Sequence, residues 1–152
     1  MNDKTQPTKC DLLIINGCVL TMDHSRTIYK PGGIAVTGNT ITAVGAQADI
    51  VQKFRASKVF DAQGAVVHPG FIDAHNHVVH QTCRGVFADT MASSKQPVSF
   101  ADWKADAHDE DENAAAALAC LELLNNGFTA FVEPGTAFCP DAVASAAEQI
   151  GV

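Results

Sequence analysis

The chain has 152 residues, of which 47% are hydrophobic and 18% charged, a balance that excludes a disordered chain and fits a globular one. Ten Lys and Arg against 17 Asp and Glu leave a net charge of −7 with no basic patch, which argues against nucleic acid or an anionic membrane as partner. No run approaches the ~18 apolar residues of a membrane-spanning helix, and the polar start, Met1 to Lys9, lacks the apolar core of a signal peptide. The five cysteines, Cys10, Cys18, Cys83, Cys120 and Cys139, form an odd set without a Cys-x-x-Cys, which points to free thiols in a reducing cytoplasm.

Residues 11–62 carry alternating and β-branched runs broken by Gly and Asn. Residues 12–15 and 18–22 flank Asn16-Gly17, and residues 34–37 and 40–44 flank Gly38-Asn39, so two hairpins are predicted. A helical turn over 47–55 and a short strand at Val59-Phe60 complete a small antiparallel β unit. From about residue 64 the pattern changes. Val66-Val67 and Phe71-Ile72 are consecutive apolar pairs, as in a strand buried on both faces of an α/β core. A polar, irregular stretch over 84–108 holds Pro97 and Trp103.

The strongest helix signal follows. Asp109-Glu110-Asp111-Glu112 reads as a capping box of the Asp-x-x-Glu type, with acidic charge at the positive end of the dipole. Ala114, Ala117, Leu118, Leu121 and Leu124 form its apolar stripe, and Asn126-Gly127 ends it. Residues 128–132 read as a parallel strand. Pro140 opens a last helix with Val143, Ala146, Ala147 and Ile150 inward. Strand, helix, strand, helix is the alternation of a parallel sheet or barrel.

Residues 69–77 read Pro-Gly-Phe-Ile-Asp-Ala-His-Asn-His. On a strand His75 and His77 share one face and Asn76 takes the other. Two imidazoles so placed can occupy two positions on one transition-metal ion. A bare His-x-His is weak by itself, because satisfied core histidines produce it often. Competing motifs are absent: there is no His-x-Glu with Pro-Cys-x-x-Cys, no Gly-x-Gly-x-x-Gly, no Walker A loop and no Gly-x-Ser-x-Gly elbow.

The flanking sequence adds to the pair. The run 69–77, with Asp11-Leu-Leu-Ile-Ile-Asn-Gly17, the stretch 33–45, Phe60-Asp61-Ala62-Gln63-Gly64, Arg84-Gly85 and Asn126-Gly127-Phe128-Thr129, resembles the amino-terminal part of the amidohydrolase superfamily of metal-dependent hydrolases. The likeness is greatest to the branch of cytosine, guanine, adenosine-type and triazine deaminases and chlorohydrolases. It implies an α/β fold, the start of a (β/α)8 TIM-like barrel preceded by a small β-sandwich segment. Residues 1–64 would be the sandwich segment and 65–152 the first two βα units.

A whole barrel takes about 250 residues, whereas 152 − 65 = 87 follow residue 65. The expectation is therefore the amino-terminal fragment of a longer enzyme, inactive alone. The resemblance implies that His75 and His77 are the first two ligands of one divalent metal, Zn or Fe. It further implies a hydrolase acting on non-peptide C–N bonds, with metal-activated hydroxide as nucleophile and a small nitrogen heterocycle as substrate. The remaining ligands and the acid–base residues come from later strands, so no catalytic residue is assigned.

Asp73 is an outer acceptor for an imidazole or an ordinary strand residue. His80, Gln81 and Arg84 are substrate contacts or loop residues, with the loop favoured. Glu133 either reaches the site or simply ends its strand before Pro134. His24, His68, His108 and Trp103 read as structural. The rival reading is a truncated, non-catalytic relative acting as an interaction module or remnant. Oligomeric state stays open, a homo-oligomer included.

Overall fold

The computed structural model describes residues 6–87 and 98–152; Pro97 lies outside them. The chain divides into two compact units between Pro69 and Gly70.

The first unit is one mixed sheet around a long strand, β1 (Thr8–Leu20). β2 (Ile28–Thr37) pairs antiparallel with β1, and β3 (Thr40–Ala46) antiparallel with β2. β4 (Phe54–Asp61) and β5 (Val66–Val67) pair parallel with β1, giving the order β3-β2-β1-β4, with β4 along Thr8 to Ile15 and β5 beyond it at Cys18-Val19. The hairpin expected at Gly38-Asn39 is present. Thr37 faces Thr40 across a two-residue turn. Gly38 alone takes positive φ there (58°), and its N–H donates to Asp11 Oδ2 at 2.7 Å.

The hairpin expected at Asn16-Gly17 is absent. Asn16 takes φ of 57°, but the chain continues as one strand and the register to β2 slips between Ile14 and Gly17. Two tertiary contacts hold this bulge. Asn16 N–H donates to Gln47 Oε1 at 2.5 Å, and its side-chain amide donates to Asp61 Oδ1 at 3.0 Å. The sheet is also mixed rather than antiparallel, because α1 (Gln47–Lys53) carries the chain across and returns β4 parallel to β1. Val66-Val67, expected to open a doubly buried strand, pairs instead with Cys18-Val19, and Val66 is exposed.

Ile50 of α1 packs with Cys10, Leu13 and Ala35. Phe60, Ile14, Ile34 and Val44 form one row across the sheet by register, and Phe60 and Val44 at its ends are exposed. Among its described residues this unit contains one sheet.

In the second unit β6 (Phe71–Asp73) and β7 (Phe128–Phe131) form a parallel pair. Between them lie a 3₁₀ segment (Val78–Cys83), α2 (Phe100–Ala105) and α3 (Asp109–Asn125); α4 (Pro140–Ile150) follows β7. α2 falls in the stretch expected to be irregular. Ser99 starts it, its Oγ accepting from Asp102 N–H at 3.0 Å. α4 begins with Pro140 at its first turn and ends at Gly151 in the left-handed region, with Val143 and Ala146 buried.

The core of this unit joins Val78 and Val79 to Ala116, Ala119, Val143 and Ala146. α3 therefore buries a different face from the stripe expected. Ala115, Ala116, Ala119, Cys120 and Leu123 are inside, while Leu118, Leu121 and Leu124 are exposed. The helix is apolar on both sides, so the hydrophobic pattern does not choose. The alanine face lets α4 and the 3₁₀ segment approach closely. The cap also differs: His108 precedes the helix, its N–H donating to Asp111 Oδ2 at 3.0 Å, and Glu112 turns inward.

Gly70 lies against Thr129 of β7. A Cβ there would collide with the Thr129 side chain, its own Cβ included at 2.7 Å. Gly70→Ala is expected to destabilise this unit by about 1–3 kcal/mol. Thr129→Gly in the same chain should restore part of the loss in urea unfolding followed by the single tryptophan, Trp103.

Candidate metal centre

β6 stops at Asp73 because its carboxylate takes over the next turn. Asp73 Oδ1 accepts from His75 N–H at 3.2 Å, and Oδ2 accepts from the Asn76 side-chain amide at 2.9 Å. The backbone stays tied to the chain after β7: Val132 N–H donates to the Asp73 carbonyl (2.8 Å) and Asn76 N–H to the Val132 carbonyl (3.0 Å). His75 and His77 thus sit just past the strand expected to carry them, on a turn pinned at both ends.

Their rings nonetheless converge. The two Nε2 atoms are 3.2 Å apart and the rings meet edge to face at 88°. Two imidazole nitrogens bound at about 2.0–2.1 Å to one ion stand about 2.9 Å apart at a right angle and about 3.4 Å apart at the tetrahedral angle. The observed separation falls between those limits, so the pair fits two adjacent positions on a single metal. Among the described residues no group of three His, Cys, Asp or Glu gathers closely enough to hold an ion by itself.

His77 is held from behind. Its Nδ1 lies 2.9 Å from Thr136 Oγ1 and 3.7 Å from Glu133 Oε1. Glu133 organises the turn after β7. Its Oε1 accepts from the N–H of Gly135 (3.1 Å), the N–H of Thr136 (2.9 Å) and Thr136 Oγ1 (2.6 Å), while Oε2 accepts from Val78 N–H at 3.0 Å. Burial opposes ionisation of Glu133, but the Thr136 hydroxyl and the Thr136, Val78 and Gly135 amides outweigh it and hold the carboxyl below its ordinary value. A depressed folded value stabilises the protein above the ordinary glutamate value of 4.5, and that contribution is lost as pH falls through the lowered one. Acid titration of stability, read by Trp103 fluorescence, should therefore be shallower in Glu133→Gln, which should also be the less stable protein at neutral pH.

His80 stacks on His77 with centroids 4.9 Å apart, and its edge meets Phe100 and Trp103 at 5.6 and 5.7 Å. Burial, then the neighbouring charge of His77, lowers its pKa against the pull of Glu133, which favours the neutral ring. Its Nε2 is buried and has no hydrogen-bond partner among the described residues. Gln81 and Arg84 are tied to α3 instead. Arg84 grips Glu122 with two bonds of 2.7 and 2.8 Å, and Gln81 donates to the same carboxylate at 3.3 Å. Glu133, His77 and His75 are therefore brought together, with His80 against them and Asp73 bracing the turn. Thr136 is the residue that sequence reasoning passed over. Its signal was Glu133-Pro134-Gly135-Thr136, a turn sequence that folds residue 136 back onto residue 133.

The sequence profile of the amidohydrolase family matches residues 66–152, more than half of the chain. The chain belongs to the amidohydrolase family. Among its relatives, a 5-methylthioadenosine/S-adenosylhomocysteine deaminase of Pelotomaculum thermopropionicum is 32% identical over 144 residues, covering 93% of this chain and 32% of the relative. A 5′-deoxyadenosine deaminase of Methanosarcina mazei is 33% identical over 144 residues, with 93% and 32% covered. An adenosine deaminase structure from Xanthomonas campestris with bound zinc superposes with a TM-score of 0.82 at 27% identity, covering 95% of this chain and 33% of that one. Atrazine chlorohydrolase of Arthrobacter aurescens, at 22% identity and a TM-score of 0.69, shares the fold over 93% of this chain and 34% of its own. The chain spans about a third of the length of the curated relatives it matches. No helix among the described residues is long and apolar enough to cross a membrane.

Proposed function

We propose that this amidohydrolase-family chain supplies two ligands, His75 Nε2 and His77 Nε2, to one divalent metal ion, Zn or Fe. The protein would be a hydrolase that cleaves a non-peptide C–N bond of a small nitrogen heterocycle, as a deaminase does. The observation that carries this reading is the 3.2 Å convergence of the two Nε2 atoms on a turn braced by Asp73. The deaminase names of the relatives and the zinc of the Xanthomonas structure support it.

When bound, the ion would act as a Lewis acid and bring the pKa of a water toward neutrality. The chain's own share is positional: the Asp73 turn aims His75, and Thr136 and Glu133 back His77. With two imidazoles as the donor set, the 152 residues bind metal weakly and do not turn substrate over alone. Residues 65–152 are read as the first two βα units of a (β/α)8 barrel, which the exposed Ile72 and Leu121 support as apolar surface that further units of a barrel would cover. Residues 1–64 are read as one layer of a β-sandwich, supported by the exposed Phe60 and Val44 at the two ends of the apolar row across the sheet. The five free cysteines support a cytoplasmic setting.

Zinc titration of the ¹⁵N-labelled chain tests the site. His75 and His77 ring signals should shift together and saturate at one ion per chain. If neither ring responds, the metal reading fails and a non-catalytic interaction module takes its place.

A further inference from the structure

We infer that Thr136 is a positioning residue that fixes the proton of His77 on Nδ1, so that Nε2 presents its lone pair before any metal arrives. This deepens the metal reading above and rests on it for its purpose, though not for its geometry.

Thr136 Oγ1 carries one hydrogen and stands between two neighbours, Glu133 Oε1 at 2.6 Å and His77 Nδ1 at 2.9 Å. Glu133 Oε1 already accepts the N–H groups of Gly135 and Thr136, groups that can only donate. That oxygen is therefore an acceptor on all sides, and the short contact requires the Thr136 hydroxyl to point at it. Oγ1 then has only lone pairs left for His77, so Nδ1 must bring the hydrogen. A neutral imidazole with its proton on Nδ1 has a bare Nε2.

The Glu133 end of the relay is itself anchored. Oε2 takes the N–H of Val78, the residue after His77, so the carboxylate holds both the backbone and, through Thr136, the ring. His80 stacked on the outer face keeps the ring from turning over. If His77 Nε2 is the acceptor, the 3.2 Å contact between the two Nε2 atoms is bridged by a hydrogen from His75 Nε2. Only His75 must then move a proton to its other nitrogen for both rings to face one ion.

The test uses the 152-residue chain, stripped of metal by chelator and held above the imidazole titration range. Long-range ¹H–¹⁵N correlation spectra should give His77 a pyrrole-type Nδ1 and a pyridine-type Nε2. Thr136→Ser keeps the hydroxyl and should keep the spectrum. Thr136→Val keeps the shape but loses the relay; His77 should become a mixture of tautomers and Zn²⁺ affinity should fall about 10- to 100-fold. A His77 protonated on Nε2 in the starting chain overturns the inference. So does a Thr136→Val chain that is folded by its amide spectrum yet matches Thr136→Ser in tautomer and zinc affinity. Should the Val variant not fold, the starting chain and Thr136→Ser still decide the matter through their tautomer. A fixed Nδ1–H tautomer without zinc binding would support the relay and count against the metal reading, so the two fail separately.

Discussion

His77→Ala should abolish the zinc binding proposed for this chain. The loss should exceed the about 10–100-fold that accompanies removal of a ligand's outer partner, because a single imidazole, His75, remains and no third donor stands ready among the described residues. His75→Ala should match it, since the 3.2 Å separation makes the two nitrogens one site. The pair differs in its effect on the protein. His75 is exposed, and its removal should leave unfolding unchanged. His77 contacts Thr136 and stacks on His80, so its removal should also lower stability modestly. Calorimetric zinc titration together with urea unfolding of the two variants would separate these effects. If both variants bind zinc as the parent does, the ion is held elsewhere and the proposed centre is wrong.

Glu112→Ala should cost about 3 kcal/mol in the stability of the second unit. Glu112 is 4% exposed, and its carboxylate accepts from Phe138 N–H (2.9 and 3.1 Å) and Cys139 N–H (2.8 Å) at the start of α4. Hydrogen bonds to a charged group contribute about 1.5–3 kcal/mol each, and a partner left unsatisfied in a buried place adds its own penalty. Alanine removes the acceptor from both amides. Gln retains one acceptor oxygen and should lose less. Trp103 fluorescence in urea reads the unit directly, and an Ala variant within 0.5 kcal/mol of the parent, about the spread of a featureless surface change, would refute the assignment.

The order of strands and helices was legible because each signal had a local cause. Gly38 supplies positive φ, Pro140 presets the first turn of α4, and Gly127 closes α3. What failed was what neighbours decide. Asn16-Gly17 has the chemistry of a reversing turn, yet Gln47 and Asp61, far along the chain, convert it to a bulge in a continuing strand. In α3 both sides are apolar, so only the packing of α4 and of Val78 and Val79 selects the alanine face. At the candidate metal centre the two histidines stood out as a spacing. Thr136 did not, because a threonine in a loop has no signature until Glu133 is known to curl back on it.

β1 is the common neighbour of β2, β4 and β5, and its parallel partners begin at Phe54 and end at Val67. Hairpin pairing of β2 with β3 needs only a local turn, but the other edge of β1 must wait for chain that lies some 46 residues downstream, from Thr8 to Phe54. Closing so long a loop is slow relative to local contacts. On the ribosome, therefore, β1 is made well before it gains its full set of partners. Its unpaired edge is exposed until Val67 has cleared the exit tunnel, and during that interval this unit is most open to chaperones and to misassembly.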